Sequence, residues 1–462
     1  MVRIEIDTLG QVDVPDEAYY GPQTARAVEN FRVSGLKLPS VFIKAQAVIK
    51  QACAKANIHA GKLDPAIGEA IIQAASEVRQ GTFDDQFVVD AFQSGAGTSQ
   101  NMNANEVIAN RALEIMGESR GRYDMIHPND HVNMSQSSND TIHSAIHIAA
   151  MESLNDQLLP VLSLLFQGLI SRSGEFTDIV KPGRTHLQDA VPVTLGQEFG
   201  GYARMVELGI KRIFASMADL AELNMGGTAV GTGLNAPEDF EELVISEVNR
   251  ITGLKFRFAQ NPFEATQGAD AILGVSSVLR SIAVSLIKIT NDLRLLSSGP
   301  RTGIGEINLP AVQPGSSIMP GKINPVMAEM LNMACFQVVG NDTAIMMAAQ
   351  AGQLELNVFT PVLAHNILGS ITILSGAVGS FNRQCLSGIT ANVEHCRSLA
   401  SKSLALTTAL APGIGYEKAA EIAHQAYRDN KTIREVVLDS GLLTEEEADE
   451  LLDPLNMTGE RT

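Results

Sequence analysis

Positive charge is scarce in this sequence. Across 462 residues, 34 lysines and arginines stand against 52 aspartates and glutamates, so the net charge is −18. A chain with this balance lacks the broad basic surface that binds nucleic acid or anionic membranes, and we expect neither as a partner. Any anionic ligand must therefore be held by a local group of donors.

Targeting and cross-linking patterns are also missing. The N-terminus, MVRIEIDTLG, has no basic segment followed by an apolar one. No window of about 18 to 20 residues is free of charged or strongly polar side chains, so we expect neither an export signal nor a membrane span. The four cysteines have no C-x-x-C pairing and no histidines at metal-ligand spacing, which predicts buried free thiols in a cytoplasmic protein: Cys53, Cys335, Cys385 and Cys396.

Long proline-free stretches with heptad spacing are present. Between Leu273 and Leu296, apolar residues alternate four and three positions apart: Val275, Leu279, Ile282, Leu286, Ile289, Leu293 and Leu296. Such a seam keeps one face of a helix against partner helices. The spacing recurs from Val206 to Leu220, and further long helices are expected over 326–349 and 362–395.

These features predict a mainly α protein with an up-and-down bundle at its centre. A short strand at Arg3–Ile6 opens a separate region of helices that we expect Gly61, Gly68 and Gly81 to break. The predicted domains are an N-terminal, mostly helical domain over 1–136, a central long-helix bundle over 137–395 and a small C-terminal helical domain over 396–462.

Two polar stretches in the first part of the chain are candidates for chemistry. Residues 94–103 combine a glycine turn with hydroxyl and amide donors at a predicted helix start, where anions bind readily. Residues 127–140 carry a second dense set of donors. Simple helix capping remains an alternative for both stretches. The first lacks the third glycine of a dinucleotide-binding loop, and the two histidines of the second lack a third metal ligand.

Two further polar stretches lie later in the chain. In residues 183–190, His186 stands among hydroxyl and amide neighbours, where it could bind a carboxylate, relay a proton or serve only as a structural histidine. In residues 315–325, five residues separate the first glycine from Gly-Lys, and Ile323 follows the lysine. A phosphate-binding loop needs four residues and then Ser or Thr, so nucleotide binding is excluded.

The segment 315–325, Gly-Ser-Ser-Ile-Met-Pro-Gly-Lys-Ile-Asn-Pro, closely resembles the signature loop of the aspartase/fumarase superfamily of lyases. The other three stretches follow the order and spacing of that family, and the resemblance covers essentially the whole chain. It implies an L-aspartase-like, three-domain subunit whose central five-helix bundle pairs into a homotetramer, with each active site shared by three chains. It also implies an anti elimination that forms fumarate from a four-carbon dicarboxylate without cofactor or metal.

The resemblance also implies roles for individual residues. Removing a proton beside a carboxylate creates a dianion, so donors and a cation must be placed where that charge develops. The implied catalytic residues are Ser316 as the base, His186 and Lys322. The implied substrate-binding residues are Thr98, Ser137, Ser138, Asn139, Thr185, Ser317 and Asn324. Glu329 is implied as a support for Lys322 or His186, and His127, Asn129 and Asp130 as a secondary anion site.

The sequence indicates the leaving group less clearly than it indicates the superfamily. Segments 95–99 with Ala96, 111–117, 306–310 and 352–357 are similar to aspartases, whereas Ser138 and residues 226–231 are similar to fumarases. Residues 142–144 differ from both. We expect ammonia to leave, with water as the alternative. A non-catalytic protein, such as a crystallin or a regulatory anion-binding protein, is disfavoured because the loop retains Ser316 and Lys322.

Overall fold

The computed structural model describes residues 2–459, which are mainly α-helical. The helices are α1 Pro22–Asn30, α2 Ser40–His59, α3 Pro65–Arg79, α4 Thr98–Ile115, α5 Ser138–Ser153, α6 Leu159–Glu175, α7 Leu195–Leu220, α8 Phe240–Thr252, α9 Pro262–Gln267, α10 Asp270–Leu296, α11 Val326–Gln350, α12 Thr360–Gln384, α13 Val393–Lys402, α14 Ala411–Ile414, α15 Tyr416–Asp429, α16 Ile433–Asp439 and α17 Glu445–Leu451.

The strands form four two-stranded sheets. Their bounds are β1 Val2–Asp7, β2 Gly10–Pro15, β3 Val180–Thr185, β4 Gln188–Thr194, β5 Glu222–Leu223, β6 Arg257–Phe258, β7 Ile307–Asn308 and β8 Thr390–Ala391. β1–β2, β3–β4 and β7–β8 are antiparallel, and β5–β6 is parallel. The strand expected at Arg3–Ile6 lies within β1, which confirms that prediction.

The heptad seam predicted in α10 is buried. All seven of its apolar side chains are at most 5% exposed. In α7, Val206, Ile213 and Leu220 of the repeated pattern are buried, and α10 ends at Leu296, directly before the serine-glycine-proline stop. The spacing therefore identified the faces on which these long helices pack.

Two local predictions were wrong. α12 ends at Gln384 instead of continuing to residue 395, because the chain turns at Leu386–Gly388 and then pairs β8 with β7. Gly68 does not break a helix but lies inside α3. A Cβ at Gly68 would lie 2.5 Å from the Ile58 side chain, so this glycine allows close packing of α3 against α2.

The expectation that the chain has no membrane span stays a prediction. By length and composition alone, Asp270–Leu296 and Thr360–Gly388 are long and apolar enough to cross a membrane. Their most apolar windows are 44% and 61% buried within the chain. Core helices of a bundle pass the same test, so these helices are weak indicators of a membrane.

The chain groups into two compact units. The first takes the chain up to Leu159 together with Lys211–Ser281 and Phe336–Leu374, and the second takes Pro160–Ile210, Ile282–Cys335 and the chain from Ser375. Within the second unit, α15, α16 and α17 enclose a separate apolar core. The three domains with boundaries at residues 136 and 395 stay a prediction.

Candidate functional site

A cavity of about 540 Å³ lies in the first unit. It is lined by Gln23, Thr98, Asn101, Met102, Asn129, Asn133, Ser135, Gln136, Ser137, Ser138, Thr228, Ala229, Leu234 and Asn235. None of these lining side chains carries a formal charge, and most of them end in a hydroxyl or a carboxamide. The cavity is therefore suited to a small ligand that accepts many hydrogen bonds.

Two helix N-termini meet at this cavity. α4 begins at Thr98 and α5 begins at Ser138, and their hydroxyl oxygens lie 3.3 Å apart. Ala96 and Gly97 both adopt left-handed backbone conformations, with φ of 57° and 65°, to turn the chain into α4. The N-terminus of a helix carries unpaired N–H groups and positive partial charge. The two helices together give the cavity positive potential without a charged lining side chain.

The first turn of α5 is both a helix cap and part of the cavity. The Ser137 Oγ accepts a hydrogen bond from the Asn139 N–H at 3.2 Å, and Asp140 Oδ1 accepts one from the Ser137 N–H at 3.0 Å. This reciprocal capping box fixes the backbone of the turn. The capping interpretation of residues 137–140 is thus correct, and it does not exclude ligand binding because the Ser137 and Ser138 hydroxyls also line the cavity.

The side chain of Asn139 is bonded to a backbone group and does not line the cavity. Its side-chain amide donates to the Ala229 carbonyl at 2.7 Å. Asp140, which is fully buried, accepts from the Thr228 N–H at 3.0 Å and holds the same loop against α5. Burial raises the pKa of Asp140 to about 7. Together these contacts position Thr228 and Ala229 at the cavity.

A buried cation lies behind the cavity. The Lys50 ammonium, on α2, donates to Asn101 Oδ1 at 2.9 Å, Asn133 Oδ1 at 3.0 Å and Gln136 Oε1 at 2.9 Å. We call these three carboxamides the amide cluster, and all three line the cavity. Lys50 is 0% exposed, and burial lowers its pKa to about 8. It therefore remains mostly charged at neutral pH.

The predicted secondary anion site coincides with a one-turn π-helix at Pro128–Val132. The His127 Nδ1 accepts hydrogen bonds from the N–H groups of Asn129 and Asp130, both at 3.2 Å. The neutral imidazole therefore carries its proton on Nε2. Asn129 also lines the cavity, whereas Asp130 is exposed and contributes a negative charge beside the anion site.

The serine loop of the second unit is closed by its own hydrogen bonds. The Gly315 N–H donates to the Lys322 carbonyl at 2.9 Å, and the Asn324 amide donates to the Gly315 carbonyl at 2.7 Å. A Cβ at Gly315 would lie 2.3 Å from the Lys322 carbonyl oxygen, so only glycine fits there. The Ser316 Oγ accepts N–H bonds from Ile318 at 3.2 Å and Met319 at 3.0 Å. Two such donors would stabilise negative charge on this oxygen.

Thr185 and His186 lie at the tip of the β3–β4 hairpin. His186 and Leu187 form its two-residue turn with φ of 55° and 59°, which is unfavourable for side chains other than glycine or asparagine. Both residues are exposed. A strained turn that holds an imidazole in solvent is consistent with a functional role for His186.

A buried ion cluster holds the base of this hairpin. Glu306, which is 0% exposed, lies 3.1 Å from the Lys181 ammonium and 2.8 Å from the Arg184 guanidinium. Glu198 lies 3.4 Å from the same ammonium. The Arg184 and Glu306 atoms are in ionic contact without the alignment of a hydrogen bond. Since Arg184 directly precedes Thr185, these contacts restrain the hairpin tip.

The predicted site residues thus fall into two groups. Thr98, Ser137 and Ser138 share the cavity of the first unit, with Asn129 beside them. The residues in the second unit lie on the hairpin, the serine loop and the start of α11: Thr185, His186, Ser316, Ser317, Lys322, Asn324 and Glu329. Ser317 and Lys322 are exposed, and among residues 2–459 the cation nearest to Glu329 is Arg294, at 3.9 Å.

Lys50 and Asp140 were not singled out in the sequence, although a signal existed for Lys50. α2 is buried on nearly every face, and its residues from Ala45 to Ala54 carry no charge apart from Lys50. A lysine in such a helix must be paired inside the protein. Its partners come from segments far away in the chain, which is why the pattern alone could not identify them. No group of three or more His, Cys, Asp or Glu side chains within residues 2–459 is arranged to hold a metal ion.

Comparisons with known proteins agree with this geometry. A family model described as lyase matches residues 10–340, and a model of the fumarase C C-terminus matches residues 406–459. The chain is 50% identical to an aspartate ammonia-lyase of Bacillus sp. over 99% of its length and 97% of the relative's length. It is 51% identical to a class II fumarate hydratase of Brucella suis over 97% of both. The crystal structure of a recombinant class II fumarase from Schistosoma mansoni superposes with a TM-score of 0.96 at 38% identity, over 99% of each chain.

Proposed function

The chain belongs to the lyase family that includes aspartate ammonia-lyases and class II fumarate hydratases, and from this premise we propose that it converts L-aspartate to fumarate and ammonia. The observation that carries the proposal is the uncharged, donor-rich cavity at the N-termini of α4 and α5. A carboxylate accepts hydrogen bonds from hydroxyls, carboxamides and helix N-termini together, and the cavity offers all three.

Ser316 is the base in this proposal. Its oxygen removes a proton from the carbon next to one carboxylate, the bond from the neighbouring carbon to nitrogen breaks, and the carbon–carbon double bond of fumarate forms as the amine leaves. A serine hydroxyl is a weak acid, so its alkoxide needs stabilisation. The two N–H bonds that Ser316 Oγ accepts in the loop support this role.

Donors then stabilise the dianion formed when the proton leaves. We assign Lys322 and Asn324 to this charge, with Thr98, Ser137 and Ser138 in the cavity and Asn139 next in the chain. Thr185 and His186 hold the second carboxylate, and Ser317 binds substrate beside the base. For Asn139 to take part, its amide must exchange the Ala229 carbonyl for the ligand. Glu329 would orient Lys322 or His186 from another chain.

The proposed site is completed by other copies of the chain in a homotetramer. α11 supports this arrangement because a stripe of large apolar side chains on this helix is exposed: Met333 is 62%, Phe336 58% and Met347 54% exposed. These residues follow the heptad spacing of a helix that packs against partners. Light scattering after size exclusion should give four times the chain mass of 49.3 kDa. A monomer that turns over substrate would contradict shared sites.

A fumarate hydratase is the second candidate, because Ser138 and residues 226–231 are similar to fumarases and an equally similar relative has that activity. The decisive experiment follows the ultraviolet absorbance of fumarate with purified enzyme and L-aspartate or L-malate. Fumarate from aspartate alone supports the ammonia-lyase, and fumarate from malate alone replaces it with the hydratase. Turnover of neither would reject both. We place the enzyme in the cytoplasm, consistent with its four buried thiols.

A further inference from the structure

The cavity has no charged lining side chain to balance the charge of the proposed dicarboxylate. A dicarboxylate brings two negative charges, yet no lining side chain is charged. The buried ammonium of Lys50 contacts the lining through three hydrogen bonds of 2.9 to 3.0 Å to the amide cluster, whereas the exposed Lys62 contacts it only through the Asn235 carbonyl, at 3.4 Å. The effect of Lys50 on a ligand would be strong because a buried charge is little screened by solvent.

No carboxylate neutralises this ammonium by contact. Within residues 2–459 its hydrogen-bond partners are the three neutral amide oxygens. The ionisable groups that act on it are the carboxyl group of Asp140 on α5 and Cys53, one turn further along α2, whose thiol stays neutral because burial raises its pKa. The carboxylate of Asp140 is itself bonded to the N–H groups of Ser137 and Thr228. Lys50 therefore leaves a positive charge directed at the cavity lining.

The ammonium also fixes the orientation of the amide cluster. Asn133 Oδ1 accepts three hydrogen bonds, from Lys50, Asn101 and Asn105. The Gln136 amide donates to the carbonyls of Val132 and Met134. With the three oxygens turned toward Lys50, none of the carboxamides can flip without losing bonds. The lining is thus held in one arrangement before any ligand arrives.

A purely structural role is the alternative, and energetics make it the weaker explanation. Burying a lysine costs several kcal/mol, and buried ion pairs can often be replaced by apolar residues without loss of stability. A neutral residue at position 50 could fill the same space in this helix, whose other residues from Ala45 to Ala54 are all buried and uncharged. A fully buried cation touching the lining of an anion cavity is better explained by the ligand than by the fold.

We propose that Lys50 is a positioning residue for substrate, which supplies positive potential to the cavity and locks the amide cluster that lines it. This inference rests on the proposed function, namely that the cavity takes a dicarboxylate. Lys50 acts through Asn101, Asn133 and Gln136 and has no assigned contact with the reacting atoms. Its loss should therefore weaken binding more than it slows the chemical step.

The test compares the intact oligomeric enzyme with Lys50→Met, which keeps most of the side-chain volume but removes the charge. Lys55→Met is the matched control, because it removes a charge from the same helix at an exposed position whose ion pair with Glu247 is 3.6 Å long. Affinity is measured calorimetrically with succinate, a saturated dicarboxylate that lacks a leaving group. KM and kcat are measured with whichever of aspartate and malate is turned over.

Lys50→Met should bind succinate about tenfold or more weakly, with a similar rise in KM and a smaller change in kcat, while Lys55→Met behaves as wild type. A folded Lys50→Met enzyme with unchanged succinate affinity and KM would overturn the inference. Turnover of neither substrate by wild type would reject the proposed function alone, since succinate affinity would still test Lys50. If Lys50→Met does not fold, Lys50→Gln is measured in its place.

Discussion

Two serines of this protein are held in the same local way but in different surroundings. Ser137 Oγ and Ser316 Oγ each accept backbone N–H bonds from residues that follow them. Ser137 caps the sixteen-residue helix α5 and is supported by the buried carboxylate of Asp140. Ser316 lies in a loop that is closed only by the bonds of Gly315 with Lys322 and Asn324.

In the proposed enzyme, this difference separates the residues that bind substrate from those that carry out the elimination. The cavity around Ser137 is built from helix termini and a buried network, so one chain forms it completely. His186 at the hairpin tip is exposed and Ser316 in the loop is half-buried, and in the proposed enzyme they act only after other copies complete the site. Substitutions in the cavity should therefore act mainly on binding, and substitutions in the loop mainly on turnover.

The largest expected effect follows from Ser316→Ala, which removes the proposed base. We expect kcat to fall about a thousandfold or more, because general-base catalysis typically contributes a factor of this order. Succinate affinity and the oligomeric state should stay unchanged, since the cavity and α11 are untouched. Fumarate absorbance, calorimetry and light scattering measure the three quantities.

The control for this prediction is Ser401→Ala, at an exposed serine on α13 far along the chain from the loop. It should leave kcat at the wild-type value. If the Ser316→Ala enzyme retained a tenth of the activity, Ser316 could not be the base. The loop would then have no demonstrated role in the reaction that distinguishes it from the cavity.

Thr98→Val tests the role of the cavity in substrate binding. Valine keeps the shape of threonine but cannot donate to a carboxylate at the start of α4. The loss of one hydrogen bond to a charged group should raise KM and weaken succinate binding about tenfold to a hundredfold. Thr82→Val, at an exposed threonine of the same unit, is the control. A Thr98→Val enzyme that loses kcat but keeps its succinate affinity would place Thr98 with the chemistry.

The pH dependence of binding offers a test without substitution. Burial lowers the pKa of Lys50 to about 8 from an ordinary value of 10.5. The empty enzyme should thus lose this charge as pH rises through 8, and succinate affinity measured by calorimetry should fall about tenfold between roughly pH 7 and 9.5. Lys50→Met should show a smaller fall, because in this range it retains only the ionisation of Asp140, whose pKa burial raises to about 7. A wild-type affinity that is constant over this range would contradict a role for the ammonium.

Folding stability should change in the opposite direction over the alkaline range. Because the pKa of Lys50 is lower in the folded chain than in the unfolded chain, the unfolded chain binds more protons between about pH 8 and 10.5. The contribution of Lys50 to the free energy of unfolding therefore rises with pH in this window, whereas ligand binding weakens. Loss of binding at pH 9.5 cannot then be explained by the effect of Lys50 on folding.

The sequence predicted the long helices well because heptad spacing depends on residues close together in one element. The seam of α10, from Val275 to Leu296, is buried throughout. The end of α12 was missed because it depends on β8 pairing with β7, which lies more than eighty residues earlier in the chain. Patterns within an element carry no information about such distant pairing.

The same limit applies to the candidate site. Thr98, Ser137 and Ser138 were recognisable because their stretches interrupt apolar helices with donors. Lys50 was missed because its significance depends on Asn101 and Asn133, two segments that meet it only in the folded chain. In the proposed homotetramer, the loop of Ser316 meets the cavity of a neighbouring copy, and a single sequence carries no pattern for such an arrangement.

The smallest expected effect concerns the leaving group and Ala96, in the turn that leads into α4. Ala96 is 4% exposed, directly before Gly97 and Thr98, and its N–H donates to the Val358 carbonyl at 2.8 Å. Its side chain has no hydroxyl to solvate a departing water or a substrate hydroxyl. Ala96→Ser supplies one at the same left-handed backbone position, where serine and alanine are similarly unfavourable.

We therefore expect Ala96→Ser to raise the ratio of kcat/KM for malate to that for aspartate about threefold, the effect of one weak hydrogen bond. Ala96→Gly is the matched control, since it relieves the unfavourable φ without adding a hydroxyl and should leave the ratio unchanged. An equal shift in both variants would attribute the change to the backbone of the turn. A ratio that is unchanged or lower in Ala96→Ser would show that this position does not determine whether ammonia or water leaves. The choice would then be made in the loop and hairpin, so substrate binding and catalysis would be less separable than the comparison of Ser137 with Ser316 indicates.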